Sequence, residues 1–253
     1  MDSSIISGLV NKRVLITGAT GGIGVSLVRM FAAKGAVVGI HYHQNQEQAE
    51  LLSREVELNG GRSGCFQADL LSSGGADLVD AFVGHFDGID VLVNNAGGVC
   101  GFEDFLDLDE TAWNKTFRLN AQVPFFLAQR AFTRMKKSGG GKIINISSIA
   151  AKYGGSARSL HYGASKAALE AVTVGLARFG APYNILVNAV RGGFIDTAAQ
   201  QRLSPQKDLT ARINLIPLQR AGKPEDIASL VVFLASGAGD FITGEIMTVA
   251  GGD

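Results

Sequence analysis

The fold the sequence predicts is an α/β domain, a doubly wound parallel sheet of about seven strands with helices on both faces. Three observations carry this. Short apolar runs rich in Val and Ile alternate with longer segments of helical period; the first run ends in a glycine cluster that opens a helix; and polar residues of chemical interest gather where the runs end.

Arg13 to Thr17, RVLIT, reads as the first strand, and Val25 to Ala33 as the first helix. Between them stand Gly18, Thr20, Gly21, Gly22, Ile23 and Gly24. Glycines clear the way for a phosphate, and the amides and positive dipole end of a helix N-terminus attract one. The spacing Gly18-x-x-x-Gly22-x-Gly24 differs from the G-x-G-x-x-G fingerprint, so a plain structural turn stays open at this point.

The second strand is Val37 to Tyr42, followed by His43 and a polar helix from Gln44 to Asn59. Gly64 to Gln67 is the third strand and leads into Ala68-Asp69-Leu70. A helix from Ala76 to Phe86 precedes the fourth strand, Asp90 to Val93, which ends in Asn94-Asn95-Ala96-Gly97. A long helical region, Asp109 to Lys136, contains Asn120 and a Pro124 expected to kink it. Lys142 to Ser147 is the fifth strand, with Ser148 at its carboxyl end. The next helix, His161 to Phe179, is followed by a sixth strand, Asn184 to Val190, running into Arg191-Gly192-Gly193-Phe194-Ile195-Asp196-Thr197. Residues 193–217 are polar without strong period and read as a substrate lid. Pro224 to Ala235 is a helix with proline at its start, and Glu245 to Val249 the last strand.

With 253 residues, 46% of them hydrophobic, the chain suits one domain spanning 1–253. Its 23 basic and 23 acidic residues cancel, which argues against nucleic acid or an anionic membrane as partner. The N-terminus shows no signal-peptide pattern and no apolar stretch reaches membrane-spanning length, so a cytoplasmic location is expected. Cys65 and Cys100 lack metal-ligand spacing, and reduced thiols without a metal are expected.

Tyr162 and Lys166 stand at i and i+4 and share a helix face. An ammonium about 4 Å from a phenol, at an effective dielectric of about 20, contributes roughly 4 kcal/mol, or about three pKa units. A phenol tuned in this way from about 10 towards 7 passes a proton to a carbonyl oxygen, or takes one from an alcohol, while hydride moves at the carbon. By itself the pair reads as a solvated surface contact, and only the residues around it argue for chemistry.

Taken together, TGATGGIG at 17–24, NNAG at 94–97, ISS at 146–148, YGASK at 162–166 and VNAVRGGFIDT at 187–197 resemble the short-chain dehydrogenase/reductase family, in order and separation, from about Lys12 to the C-terminus. The resemblance implies a Rossmann-type fold and an NAD(P)(H)-dependent oxidoreductase acting on a carbonyl or secondary alcohol. It implies Tyr162 as general acid or base, Lys166 lowering its pKa and holding the nicotinamide ribose, and Ser148 on the reacting oxygen, with Ser147 as rival. It implies Asn120 as support for a water-linked proton path. Gly18 to Gly24 would cradle the pyrophosphate, Asp69 and Leu70 contact adenine, Asn95, Ala96 and Gly97 line the adenosine side, and Ile195 and Thr197 hold carboxamide and phosphates. A homotetramer or dimer is also implied, with the regions Asp109 to Lys136 and Tyr162 to Phe179 packing between subunits.

Two features depart from the family pattern. Gly192-Gly193 replaces the usual Pro-Gly, loosening the turn into the lid. The second strand ends in His41-Tyr42-His43 without the acidic residue that binds a ribose 2′-hydroxyl, so a 2′-phosphate meets no repulsion and His43 is free to donate to it. NADP(H) is therefore expected over NAD(H), although Gly21 stands where many NADP-preferring relatives carry a base. The pattern is similar to the 3-oxoacyl-carrier-protein reductase branch, which implies a 3-oxoacyl thioester substrate; a sugar, steroid or small ketone stays open. Lys136 and Lys137 are candidate contacts for an acidic carrier, while Tyr183 and Asn184 stand where that branch has a base. The rival function, a dinucleotide-binding redox sensor without turnover, predicts a damaged catalytic set beside an intact glycine turn.

Overall fold

The computed structural model describes residues 7–73, 75–197 and 206–253. Its strands are β1 (Arg13–Ile16), β2 (Val37–Tyr42), β3 (Arg62–Gln67), β4 (Val91–Asn94), β5 (Gly141–Ser148), β6 (Ile185–Gly192) and β7 (Ile246–Val249). They pair in parallel in the order β3-β2-β1-β4-β5-β6-β7. The order reverses between β1 and β4, and the crevice beyond the carboxyl ends of those strands is where such sheets bind ligands.

The helices are α1 (Gly22–Ala33), α2 (Gln46–Leu58), α3 (Leu70–Ser73), α4 (Ala76–Phe86), α5 (Glu110–Phe117), α6 (Val123–Lys137), α7 (Ala150–Tyr153), α8 (Leu160–Gly180), α9 (Gln206–Asn214) and α10 (Pro224–Ala235). Both sheet faces are covered, so the strands read as continuous apolar runs rather than alternating ones. Ile16, Val38, Val93, Ile144 and Val190 pack on one face with residues of α1 and α10. Leu15, Leu92, Ile143 and Val187 pack on the other with residues of α4, α6 and α8. Each such side chain contributes about 1.5–3 kcal/mol on burial.

Three elements differ from expectation. The first helix begins at Gly22, because the last glycines of the turn already form its first turn. The long helical region is two helices joined by a π-helical segment, Arg118–Gln122. Asn120 lies within it; its Nδ2 donates to the carbonyls of Thr116 (2.9 Å) and Gly98 (2.7 Å), and its Oδ1 accepts from Gly98 N–H (3.0 Å). A side chain drawn into the backbone ladder accompanies the widened turn, while Pro124 sits in the first turn of α6, where its missing N–H costs nothing. Of the expected lid, 198–205 lie outside the described residues; Ile195 bridges Gly222 in parallel, and α9 follows.

Candidate active site

The glycine turn is held from three sides. Gly18 adopts φ +60°, and a Cβ there would stand 2.9 Å from the Ala96 Cα, so only glycine fits. The Thr17 hydroxyl accepts the N–H groups of Asn95 and Ala96, each at 2.9 Å. Asn95 returns its Nδ2 to the carbonyls of Thr17 (2.9 Å) and Gly18 (3.0 Å). Asn95 thus ties the end of β4 to the end of β1. On the other side the buried His41 accepts the Gly18 N–H at Nδ1 (2.9 Å) and reaches the Ala68 carbonyl with Nε2 (3.1 Å). Burial brings its pKa down to about 4, with His43 acting in the same direction.

This turn fits a pyrophosphate. The N-cap of α1 is Gly21, and no side chain caps the first turn, so its amides face outward at a positive dipole end. Gly21 and Gly22 are exposed, Thr20 and Ile23 half-buried, and Gly24 is enclosed by its own turn. Thr197 closes over this end: a Cβ on Gly22 would come within 2.8 Å of its Cγ2. Ile195 is buried, with Ile227 behind it.

Asp69 accepts the Leu71 N–H at 3.0 Å and so starts α3, with His43 Nε2 3.9 Å from its Oδ1. Leu70 packs its side chain into the core, which leaves only its main chain to face a ligand. Tyr42 is half-buried against the α1 face and His43 is exposed.

Ser148, Tyr162, Lys166 and Asn120 converge beyond β4 and β5. A Cβ on Gly97 would meet Asn120 Oδ1 at 2.7 Å and Lys166 Nζ at 3.0 Å, which places both beside the NNAG segment. The start of α8 is brought in by close packing on α7, since a Cβ on Gly163 would lie 2.6 Å from the Gly154 carbonyl group. The half-buried Tyr162 phenol faces the Ser148 hydroxyl, which itself accepts the Ala150 N–H at 3.2 Å. Ser147, one residue earlier, points to the other face and donates to Glu170 at 2.6 Å. Geometry thus separates the two serines.

One sequence expectation is corrected. The Tyr162 phenol stands above its ordinary value, because burial raises it and only Ser148 pulls it down. Lys166 does not lower it: its ammonium donates to the Ile146 carbonyl at 2.7 Å and stands over the Tyr162 ring, 5.8 Å from its centre. Burial lowers Lys166 itself to about 8, against an upward pull from Glu170. Helical spacing places two residues on one face; it does not aim their tips at each other.

Several residues of the site carried no signal in the motifs. His161 Nε2 donates to the Cys100 carbonyl at 2.8 Å, Thr116 Oγ1 donates to the same carbonyl at 3.2 Å, and Arg158 donates to the Phe102 carbonyl at 2.8 Å. With Asn120 on Gly98, these hold the carbonyls of Gly98, Cys100 and Phe102 against α5, the π-helical segment and the start of α8. Glu170 is fixed by Arg191 through Nε (2.9 Å) and Nη2 (2.6 Å), next to Ser147. Alternating capture of loop carbonyls depends on three-dimensional register, which no local spacing encodes.

The chain is similar to known dehydrogenases and reductases. A family model described as enoyl-(acyl carrier protein) reductase matches residues 18–253. The chain is 40% identical to an L-rhamnose 1-dehydrogenase (NAD(P)(+)) of Azotobacter vinelandii, over 96% of this chain and 97% of that one. It is 35% identical to a 3-oxoacyl-[acyl-carrier-protein] reductase of Chlamydia pneumoniae, covering 96% and 97%. Among solved structures, a 7α-hydroxysteroid dehydrogenase complexed with NADH and 7-oxo glycochenodeoxycholic acid superposes with a TM-score of 0.92 at 31% identity, covering 100% of this chain and 97% of that one.

Proposed function

This chain belongs to the short-chain dehydrogenase/reductase family, oxidoreductases of CH–OH and C=O groups that use a nicotinamide dinucleotide, and on that premise we propose that Tyr162 moves the proton of its reaction. The observation that carries this is the half-buried phenol facing the Ser148 hydroxyl. A phenol is protonated at neutral pH and so holds a proton for a carbonyl oxygen that gains negative charge, while its raised value makes it a weaker acid than an ordinary phenol. Ser148 has one hydrogen to give, to the reacting oxygen while the phenol keeps its proton and to the phenolate once that proton has moved.

The dinucleotide, when bound, supplies or accepts hydride. The turn at Gly18–Gly24 and Thr197 hold its phosphates, while Asp69 and the main chain of Leu70 border the adenine. Ala96 and Gly97 flank the adenosine side, and Ile195 the carboxamide. Lys166 holds the nicotinamide ribose, and Asn120 fixes the wall beside it. His43, exposed next to Asp69, donates to a 2′-phosphate, which favours NADP(H) over NAD(H).

For the substrate we propose a small polar carbonyl compound, with a sugar and a 3-oxoacyl thioester as the leading classes. The rhamnose dehydrogenase supports the first and the 3-oxoacyl reductase the second. Contact of an acidic carrier with Lys136 and Lys137 is not retained. They precede β5 and so lie at the opposite end of the sheet from Ser148, and Lys136 sits over the Tyr183 ring at 3.8 Å. Arg158, bonded to the Phe102 carbonyl, is an exposed cation beside the loop after β4. The redox-sensor reading finds no support, since its premise of a damaged catalytic set fails at Asn120, Ser148, Tyr162 and Lys166.

No helix among the described residues is long and apolar enough to cross a membrane; on the family reading we place the protein in the cytoplasm. Trp113, Phe126, Val174 and Phe179, exposed on α5, α6 and α8, would be covered in a homotetramer or dimer. Sedimentation as a monomer at micromolar concentration would remove that assignment. The deciding experiment is NADPH or NADH oxidation against 3-oxoacyl thioesters, ketones and sugars, with Tyr162→Phe as control. Turnover should vanish while dinucleotide binding persists; an active variant would remove Tyr162 from its role.

A further inference from the structure

Both nitrogens of the His41 ring are taken by main chain. The Gly18 amide only donates, so Nδ1 carries no hydrogen; the Ala68 carbonyl only accepts, so Nε2 carries one. Two peptide groups thereby fix a neutral ring in one tautomer. The main chain of His41 repeats the grip, since its carbonyl accepts the Ala19 N–H at 2.9 Å. One residue thus takes two consecutive amides of the glycine turn. At the other end it binds the carbonyl of the residue that precedes Asp69 and Leu70, and Ala68 N–H donates to the Tyr42 carbonyl at 3.1 Å.

We propose that His41 is a positioning residue for the dinucleotide, setting the separation between the turn that receives the pyrophosphate and the segment that borders the adenine, without touching the cofactor. The proposal rests on the cofactor reading above. A residue that only filled the core would be apolar here. It would leave the Gly18 amide, in a φ +60° conformation, without the acceptor that fixes its direction. Histidine also makes the grip sensitive to acid, because a proton on Nδ1 sets N–H against N–H. The ionisable neighbours are His43, just past the same strand, and Asp69, whose Oδ1 lies 3.9 Å from His43 Nε2. Residues 17–20 and 93–97, which close the turn around the ring, carry no ionisable side chain.

The test is fluorescence titration of NADPH and NADH into the unaltered chain, His41→Asn and His41→Leu, at temperatures well below unfolding. Asparagine offers an amide oxygen near the place of Nδ1 and keeps an acceptor for Gly18; leucine keeps bulk alone. At neutral pH the leucine variant should bind both dinucleotides about tenfold or more weakly, and the asparagine variant within about threefold of the unaltered chain. With NADH, which has no 2′-phosphate to titrate, affinity of the unaltered chain should fall more steeply between about pH 5 and 3.5, around the lowered value of the buried ring, than that of the asparagine variant. Leucine-variant binding at the unaltered level overturns the proposal, and so do parallel acid profiles, which decide the matter if the leucine variant does not fold. Failure of the unaltered chain to bind either dinucleotide sinks the cofactor reading as well, a result distinct from the other two.

Discussion

Lys166 gives its ammonium to the carbonyl of Ile146, 2.7 Å away near the carboxyl end of β5. The bond costs the fold a buried charge. Its pKa falls from 10.5 to about 8, and at about 1.4 kcal/mol per unit the charged form is disfavoured by about 3 kcal/mol. The folded value lies below the unfolded one, so this stability is fully present above about pH 10.5 and is lost as pH falls through about 8. Lys166→Met should therefore lower turnover by about a hundredfold or more and yet raise the unfolding temperature at neutral pH. Thermal unfolding of both chains across pH 7 to 10.5 checks this; a variant less stable at pH 7 would mean that the bond to Ile146 outweighs the burial.

Ser148 and Ser147 have opposite surroundings, so their alanine variants should part. Ser148 is the group that lowers the Tyr162 phenol, and without it the phenol rises further. In alcohol oxidation, where Tyr162 acts as base, the rate limb reporting its ionisation should move to higher pH in Ser148→Ala, with kcat down by about a hundredfold. Ser147→Ala removes a hydrogen bond to Glu170 and should leave that limb in place. pH–rate profiles of the two variants decide it.

What the sequence made legible follows from local physics. Strands buried on both faces must be apolar throughout, so Val37 to Tyr42 stands where its apolar run puts it, and the helix Pro224 to Ala235 stands where its apolar period and leading proline put it. Tyr162 and Lys166 share a helix because four residues make one turn. What was hidden depends on partners distant in the chain. Pro124 drew attention in the long helical region, yet the irregular turn there holds Asn120, bonded to Gly98, 22 residues away. His41 reads as one more member of a buried strand, and only the meeting of β1, β2 and β3 gives its two nitrogens their peptides. The aim of Lys166 was equally hidden, because the carbonyl that attracts it belongs to β5.

His41 also sets an acid limit on the fold. Its pKa drops from 6.5 to about 4, so the unfolded chain binds the proton first as pH falls. Stability should decline from about pH 6.5 and level off below about 4, by about 3 kcal/mol in all. Urea unfolding across this range, compared with His41→Asn, isolates the contribution. Equal slopes in the two chains would exclude it.

Gly97 touches the chemistry through what it lacks. With a Cβ 2.7 Å from Asn120 Oδ1 and 3.0 Å from Lys166 Nζ, Gly97→Ala must push one of them aside. Backbone on both sides ties Asn120 to Gly98, so Lys166 should yield. Turnover should drop by about tenfold to a hundredfold, at a stability cost of about 1–2 kcal/mol, since overpacking is relieved by one side chain. Kinetics and chemical unfolding on the same preparation check both figures.

Glu170 follows Lys166 by one turn and shares its helix face, with Arg191 and Ser147 bound to its carboxylate. The pair is mostly hidden, at 13% and 19% side-chain exposure, so neither charge has water to replace its partner. Arg191→Leu should cost about 3 kcal/mol or more by leaving the carboxylate unpaired, and it should also strengthen the upward pull of Glu170 on Lys166. Glu170→Leu with Arg191→Leu removes both charges and should regain most of that stability. It also removes the upward pull, so Lys166 should ionise at a lower pH than in the unaltered chain. The three chains should therefore order one way in stability, with the single variant lowest, and another way in the Lys166 ionisation, with the single variant highest and the double lowest. Chemical unfolding and NMR titration of Lys166 measure the two orders, and a single ranking in both would mean that Glu170 does not act on Lys166 through charge.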